Sequence, residues 1–317
     1  MIKINIKYST KENFYIQVMS NFFNDVKKKP QRLIKKQDKK IILDKSLLQI
    51  NNLIKKKLKD FQEDINLEKL ILLEYKDLKK LVEYIDNHKK FTDLSKNEKD
   101  IFLTLYARLN NVEFIKELDV NVCPYCNRNY IFNFSKNNSE QATAQLDHFF
   151  DKKSYPYLAV SLYNLVPSCG TCNQRKSSKN ENIFYPYNES FNDNAKFVYK
   201  GIRADNKTTF LDSSRIMFEI QAINTSQKEK VKKHIEVFNL KNLYDEHKDV
   251  ISELLQKREI YSDSYIDELL NKYEGTLFKN REDLLRLITC GYVNDEDINK
   301  HPLSKLTKDI SEELGLL

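Results

Sequence analysis

Four of the five cysteines fall in two short pairs, Cys123 and Cys126 in CPYC, and Cys169 and Cys172 in CGTC. A CxxC turn presents two sulfurs to one ion, and two such turns complete a tetrahedral zinc site with about 2.3 Å from metal to each sulfur. A site closed by four sulfurs leaves no position for water or substrate, so the zinc expected here is structural. The alternatives are disulfides or four reduced core cysteines. In a reducing compartment two spaced pairs speak for a metal.

Between the pairs lies QLDHFF, with Asp147 and His148 adjacent. Neighbours on a strand point to opposite faces, so one of them can bind a metal while the other faces a water. Asn164 precedes the second cysteine pair in LYNLVPSC, and Asn173 follows directly on Cys172. Arg175 and Lys176 come next. If they sit on the first turns of a helix, its N-terminus and two cations form a phosphate site.

The order CxxC, Asp-His, Asn-Leu, then CxxC-Asn with trailing Arg and Lys resembles the HNH endonuclease family. The resemblance runs from about Val122 to Lys179, under a fifth of the chain. More narrowly, LDHFFDKKSYPYLAVSLYNLVPSCGTCNQRK is similar to the HNH nucleases of bacterial anti-phage systems. These are the Septu-type nuclease subunits (PtuB-like) and their retron-associated relatives, which pair with an ATPase. YDEHKD and HPLSKLTKDI in the C-terminal part are similar to that group with much less specificity.

The resemblance implies a role for each matching residue. His148 matches the general base that activates water. Asp147 matches a ligand of a catalytic magnesium or manganese, and Asn173 its second protein ligand. Asn164 matches the residue that holds the loop so that His148 is aimed. The family often carries Pro shortly after the Asp-His pair. Here FFDKK stands in that place, and Asp151 adds a carboxylate near the expected metal. The resemblance also implies a nucleic-acid substrate, DNA before RNA, and a PtuA-like partner ATPase of the ABC or SMC-like class.

The chemistry is coherent in itself. Water attacks a phosphodiester in line, and a histidine with pKa near neutrality takes the proton. A metal between Asp147 and Asn173 would stabilise charge on the leaving oxygen as a Lewis acid. Carboxylate and amide oxygens are hard ligands suited to magnesium or manganese rather than to a thiolate site.

The elements around these residues follow from periodicity. Residues 1–118 read as a helical N-terminal lobe, with Leu67, Leu70, Leu73, Leu78 and Leu81 at helical spacing and a further helix from Asp100 to Leu109. Residues 119–195 break that period and form the nuclease core. Residues 196–317 begin with two β-like runs, KFVYK and RIMFEIQAI, separated by the turn-rich GIRADNKTT, and return to helix. The expected fold class is therefore α+β and predominantly helical: a zinc-stapled ββα-metal (HNH) core flanked by helical lobes, without bead-like linkers.

Composition sets looser bounds. At 40% hydrophobic and 31% charged, the chain is that of a globular protein. No apolar run is long enough to cross a bilayer, so no membrane partner is expected. MIKINIKYST leads into no apolar stretch, and a cytoplasmic location is expected. The net charge of +7 agrees with a polyanionic partner. It agrees equally with an AT-rich coding bias, since Lys far outnumbers Arg and Trp is absent.

Other residues have plainer readings. The lysine runs at 27–29 and 55–57 read as solvated helix faces. Cys290, in LLRLITCGYV, reads as buried core. His88, His234, His247 and His301 lack ligand-spaced partners, and His247 reads as a surface ion pair among carboxylates. Phe184, Tyr185 and Tyr187 read as core over the cysteine turns rather than a base-stacking surface. Two rival functions are a zinc-knuckle nucleic-acid-binding module and a structural subunit, both without catalysis. Neither accounts for an intact set of Asp147, His148, Asn164 and Asn173.

Overall fold

The computed structural model describes residues 3–28, 36–62, 64–137, 139–178, 181–203 and 212–317. Lys29, Pro30 and residues 204–211 of the expected turn lie outside the described residues, as do the side chains of Lys27 and Lys28.

The regular elements described in the N-terminal segment are all helices: α1 (Tyr8–Lys28), α2 (Lys36–Lys57), α3 (Leu67–Ile71), α4 (Tyr75–Asn87), α5 (Lys89–Thr92), α6 (Lys96–Ala107) and α7 (Asn111–Leu118). The leucine-spaced run does not form one helix. The Ser161 hydroxyl donates to the Leu70 carbonyl, the group that would otherwise accept from residue 74. The chain turns at Leu72 and restarts at Tyr75, and Leu67, Leu70, Leu78 and Leu81 are still all buried. α6 begins with a capping box, in which Ser95 and Glu98 bond each other's backbone N–H groups. Lys55 and Lys56 are exposed, as a solvated face requires.

The central segment carries little regular structure. An exposed hairpin, β1 (Asn133–Lys136) and β2 (Ser139–Ala142), leads to β3 (Gln145–His148). β3 pairs antiparallel with β4 (Leu165–Ser168), placing Asp147 opposite Val166 and His148 opposite Leu165. α8 (Gly170–Lys176) follows directly. Asp147 and His148 therefore lie on the first strand of a strand-strand-helix unit, and Asn173 on its helix.

The last segment opens with β5 (Ala195–Ile202) and β6 (Ile216–Ala222), as the β-like runs foretell. Then come α9 (Lys228–Phe238), α10 (Leu240–Asp245), α11 (Lys248–Ile260), α12 (Asp263–Tyr273), α13 (Arg281–Thr289) and α14 (Ser304–Glu313). The apolar periodicity from His234 onward is broken at Asn239, whose φ of 53° ends α9 in the left-handed region that Asn tolerates.

The three segments share one core. It runs from Ile4 through Leu81 and Tyr157 to Phe238, Leu306 and Ile310. Phe184, Tyr185 and Tyr187 lie in it, as expected. A separate small core of Ile266, Phe278, Leu284, Leu285 and Ile288 joins α12 to α13. Among the described residues no helix is long and apolar enough to cross a membrane.

Two readings of single residues need correction. Cys290 is exposed, because α13 ends on it with φ 56° and turns its side chain away from the core. His247 makes no surface ion pair: Arg128 Nε donates to its Nε2 at 3.0 Å. An accepting imidazole is neutral, and burial, followed by the Arg128 charge, lowers its pKa.

Candidate metal centre and active site

The first cysteine turn is closed by its own backbone. Cys123 N–H donates to the Asn129 carbonyl and Asn127 N–H to the Cys123 carbonyl, with Asn127 at φ 52°. In the second pair Cys169 is the N-cap of α8 and Cys172 lies in its first turn. The four cysteines are buried, and their sulfurs lie within 4.8 Å of one another. Cys126 Sγ and Cys169 Sγ are 4.0 Å apart. A tetrahedron with about 2.3 Å bonds needs roughly 3.8 Å between sulfurs, so the cluster fits one zinc ion.

The surroundings also suit thiolates. Arg128 N–H points at Cys126 Sγ and Cys169 N–H at Cys123 Sγ, both at 3.4 Å, and Asn129 Nδ2 lies 3.3 Å from Cys169 Sγ. Burial, and after it the neighbouring Cys126 and Cys169 sulfurs, push the Cys123 thiol well up, which a dication among the sulfurs would reverse.

The C-terminal helices grip this turn from behind. His234 Nε2 bonds the Tyr125 carbonyl at 3.0 Å and the Tyr244 hydroxyl donates to the Cys126 carbonyl at 2.7 Å. Asn127 Oδ1 accepts from Lys305 N–H, and its Nδ2 donates to the Ile298 carbonyl. Periodicity could not reveal these partners, because each lies more than a hundred residues away in sequence.

Tyr125 connects the metal centre to β3. Its hydroxyl donates to Asp147 Oδ2 at 2.7 Å, and its ring stacks on Phe238. Asp147 is also paired with Lys176, whose Nζ lies 3.1 Å from Oδ2 and 2.8 Å from the His148 carbonyl. Both side chains are buried, Lys176 at 1% exposure and Asp147 at 3%. Burial raises the Asp147 pKa, while Lys176 and Tyr125 pull it back.

This placement corrects the phosphate role expected of Lys176, since an ammonium enclosed by Asp147 and a carbonyl cannot reach a substrate. It corrects the helix-terminus expectation too. α8 is only seven residues long, Arg175 and Lys176 fall in its last turn, and its start is taken up by Cys169 and Cys172. Arg175 is exposed. The Asn173 amide donates to Gln145 Oε1 at 2.7 Å. Of Asp147 and Asn173, expected to share a divalent cation, the first already has its charge met by Lys176, while the Asn173 bond goes through Nδ2 and not through the oxygen that would ligate. As arranged they do not fit a magnesium or manganese site. Asp151, the other carboxylate expected nearby, caps its own turn by accepting from Ser154 N–H and Oγ–H.

His148 points to the opposite face of β3. Its Nε2 lies 3.1 Å from the Ala159 carbonyl. A carbonyl can only accept, so Nε2 carries the proton and Nδ1 keeps a free lone pair. Burial, reinforced by the charge of Lys152, holds its pKa down at about 4, so the ring is neutral at neutral pH. The ring of Tyr106, on α6, meets it edge-on at 4.5 Å.

Asn164 is fully buried below this histidine. Its Oδ1 accepts from Phe150 N–H at 2.8 Å, and its Nδ2 donates to the carbonyls of Phe150 and Leu158, each at 3.0 Å. One side chain thus ties the residues just after His148 to the segment carrying Ala159, the carbonyl that orients the imidazole.

No family model and no solved structure matches the chain. It is 30% identical to the Septu protein PtuB of Bacillus thuringiensis over 138 residues, which cover 39% of the chain and 51% of that protein. The chain therefore spans about half the length of this curated relative, and the similarity supports a Septu-like relationship.

Proposed function

We propose that the chain is an HNH-type endonuclease that hydrolyses phosphodiester bonds in nucleic acid, DNA before RNA, as the nuclease of a Septu-like anti-phage defence system. The observation that carries this reading is the oriented imidazole of His148. Its proton is fixed on Nε2 by a backbone carbonyl, its Nδ1 keeps a lone pair on a ring that is neutral at neutral pH, and it sits on a hairpin beside the four-cysteine cluster. The defence role is supported by the similarity to PtuB.

In the proposed reaction Nδ1 of His148 takes a proton from water as the oxygen attacks phosphorus, and the opposite P–O bond breaks, its leaving oxygen taking a proton from solvent. Asn164 ties Phe150 to Leu158, the residue before the Ala159 carbonyl that keeps the ring aimed. Zinc on Cys123, Cys126, Cys169 and Cys172 would supply folding free energy, not chemistry. Nothing in this chemistry is assigned to a catalytic magnesium or manganese. A partner ATPase of the PtuA kind is part of the proposal, supported by the same similarity and by exposed Ile260, Tyr265, Leu277 and Leu287 on or beside α11–α13.

The test is to incubate the full chain, with any protein that copurifies, with duplex DNA and with RNA. Each reaction is run with magnesium, with manganese and with chelator. Cleavage lost in His148→Ala supports the reading. Binding without cleavage under every condition would turn it into a zinc-knuckle binding module.

A further inference from the structure

The loop between His148 and the 3-10 turn Pro156–Leu158 carries two lysines that the function above leaves unused. It is a fixed turn: Asp151 accepts from Ser154 N–H and Oγ–H, and Tyr155 N–H bonds the Asp151 carbonyl at 2.8 Å. Lys152 leaves this turn toward the histidine. Its Nζ lies 4.1 Å above the Tyr106 ring, and that ring contacts His148 at 4.5 Å between centroids. The ammonium thus sits on the face of a phenol ring that in turn meets the imidazole edge-on.

Lys152 is partly buried, yet among the described residues no carboxylate lies within 4.0 Å of its Nζ. Asp151 offsets part of its charge from further off. Lys176 makes the contrast, being paired at 3.1 Å with Asp147. A half-buried cation carries a desolvation cost that an incoming anion would remove. Lys153, its neighbour, is exposed. It lines a cavity of about 790 Å³ with Lys89, Lys90 and Lys99, where Asp86 meets both Lys89 and the Tyr155 hydroxyl and Asp93 meets Lys99.

We propose that Lys152 is the phosphate contact beside His148, holding the phosphodiester to be cut, with the Lys153-lined cleft receiving the adjoining backbone. This rests on the nuclease reading and supplies the cation that Lys176 does not. A π-face beneath an ammonium holds it without neutralising it, which leaves the charge available to a phosphate.

The experiment separates binding from cleavage. A labelled DNA duplex and a labelled RNA strand are titrated with the full chain in a His148→Ala background, at several salt concentrations. Lys152→Met keeps the packing on Tyr106, Lys152→Gln is a second neutral variant, and Lys152→Arg keeps the charge. Thermal unfolding confirms that each is folded. The neutral variants are expected to weaken duplex binding and lower the slope of log K against log salt by about 0.9, one phosphate contact. Lys152→Arg should restore both. With His148 intact, Lys152→Met should slow single-turnover cleavage at least about tenfold, as expected for a charge-assisted contact worth 1.5–3 kcal/mol.

Unchanged binding and salt slope in folded Lys152→Met would overturn the assignment, and cleavage lost in His148→Ala would still stand. Binding lost in Lys152→Met while His148→Ala cuts as the parent does would keep the phosphate contact and sink the nuclease mechanism. A parent chain that binds neither DNA nor RNA at low salt overturns the contact itself.

Discussion

Replacing His148 by Ala removes the group that accepts the proton and touches neither the sulfurs nor the Asp147–Lys176 pair. Cleavage should fall by about 10²–10⁴-fold, the usual worth of a positioned base, with zinc content and melting temperature close to the parent's. Lys176→Met should do the reverse. It leaves the 3%-exposed Asp147 carboxylate without its cation, and breaking a buried pair from one side costs about 3–5 kcal/mol. Urea unfolding reads that loss directly. An unfolding midpoint unmoved by Lys176→Met would mean that Asp147 finds another counter-charge, and a divalent cation shared with Asn173 would then regain its case. The four cysteines were legible because metal ligation is tied to residue type and close spacing, whereas the roles given to His148 and Asn164 came from the family resemblance. Lys176 was misread because a lysine after CNQR looks the same exposed or buried. Only the fold brings Asp147 and Lys176, 29 positions apart, into contact. Tyr125 was missed for the same reason, since its hydroxyl finds Asp147 across 22 positions.

At the scale of elements, α9 is tied to the metal centre through one bond, from His234 Nε2 to the Tyr125 carbonyl. His234 is buried among Phe184, Phe191 and Phe238, and burial drives its pKa down to about 3. In the unfolded chain a histidine titrates near 6.5. Between about pH 6.5 and pH 3 the unfolded state therefore binds a proton that the folded state does not. Stability is fully present above that window and falls with pH inside it, by up to about 1.4 kcal/mol per unit. His234→Asn should be less stable at pH 7 but lose less on acidification from pH 7 to 5. Urea midpoints of both proteins at matched pH test this, and parallel pH curves would show that His234 is not the acid-sensitive group. Strands β5 and β6 and the helical character of the two flanking segments were legible from the residue pattern, and the hairpin β1–β2 was not. Nor were the breaks at Leu72 and Asn239. One depends on a hydroxyl from Ser161, 91 positions away, and the other on a left-handed residue inside an otherwise continuous apolar pattern.

Across the whole molecule, the metal centre is a joint and not an appendage. The turn Cys123–Asn127 receives bonds from His234, Tyr244, Leu303 and Lys305, all in the C-terminal segment. The hairpin that meets it packs into the core shared with the N-terminal helices. Zinc on these four thiolates would supply about 10–16 kcal/mol of folding free energy by the measure of zinc-finger peptides, as much as the entire stability of an ordinary domain. Stripping the metal should therefore open more than the two cysteine turns. Hydrogen exchange after chelation should lose protection together in β3, β4, α8, α9, α10 and α14. The pair α12 and α13 rests on its own small core of Ile266, Phe278, Leu284, Leu285 and Ile288. That pair should exchange faster than the rest before chelation, because its core is small, and change least after it. Cys169→Ser should reproduce the chelated pattern without chelator, since three sulfurs hold zinc less tightly than four. Loss of protection confined to residues 122–130 and 168–176 would show instead that the shared core stands without its metal.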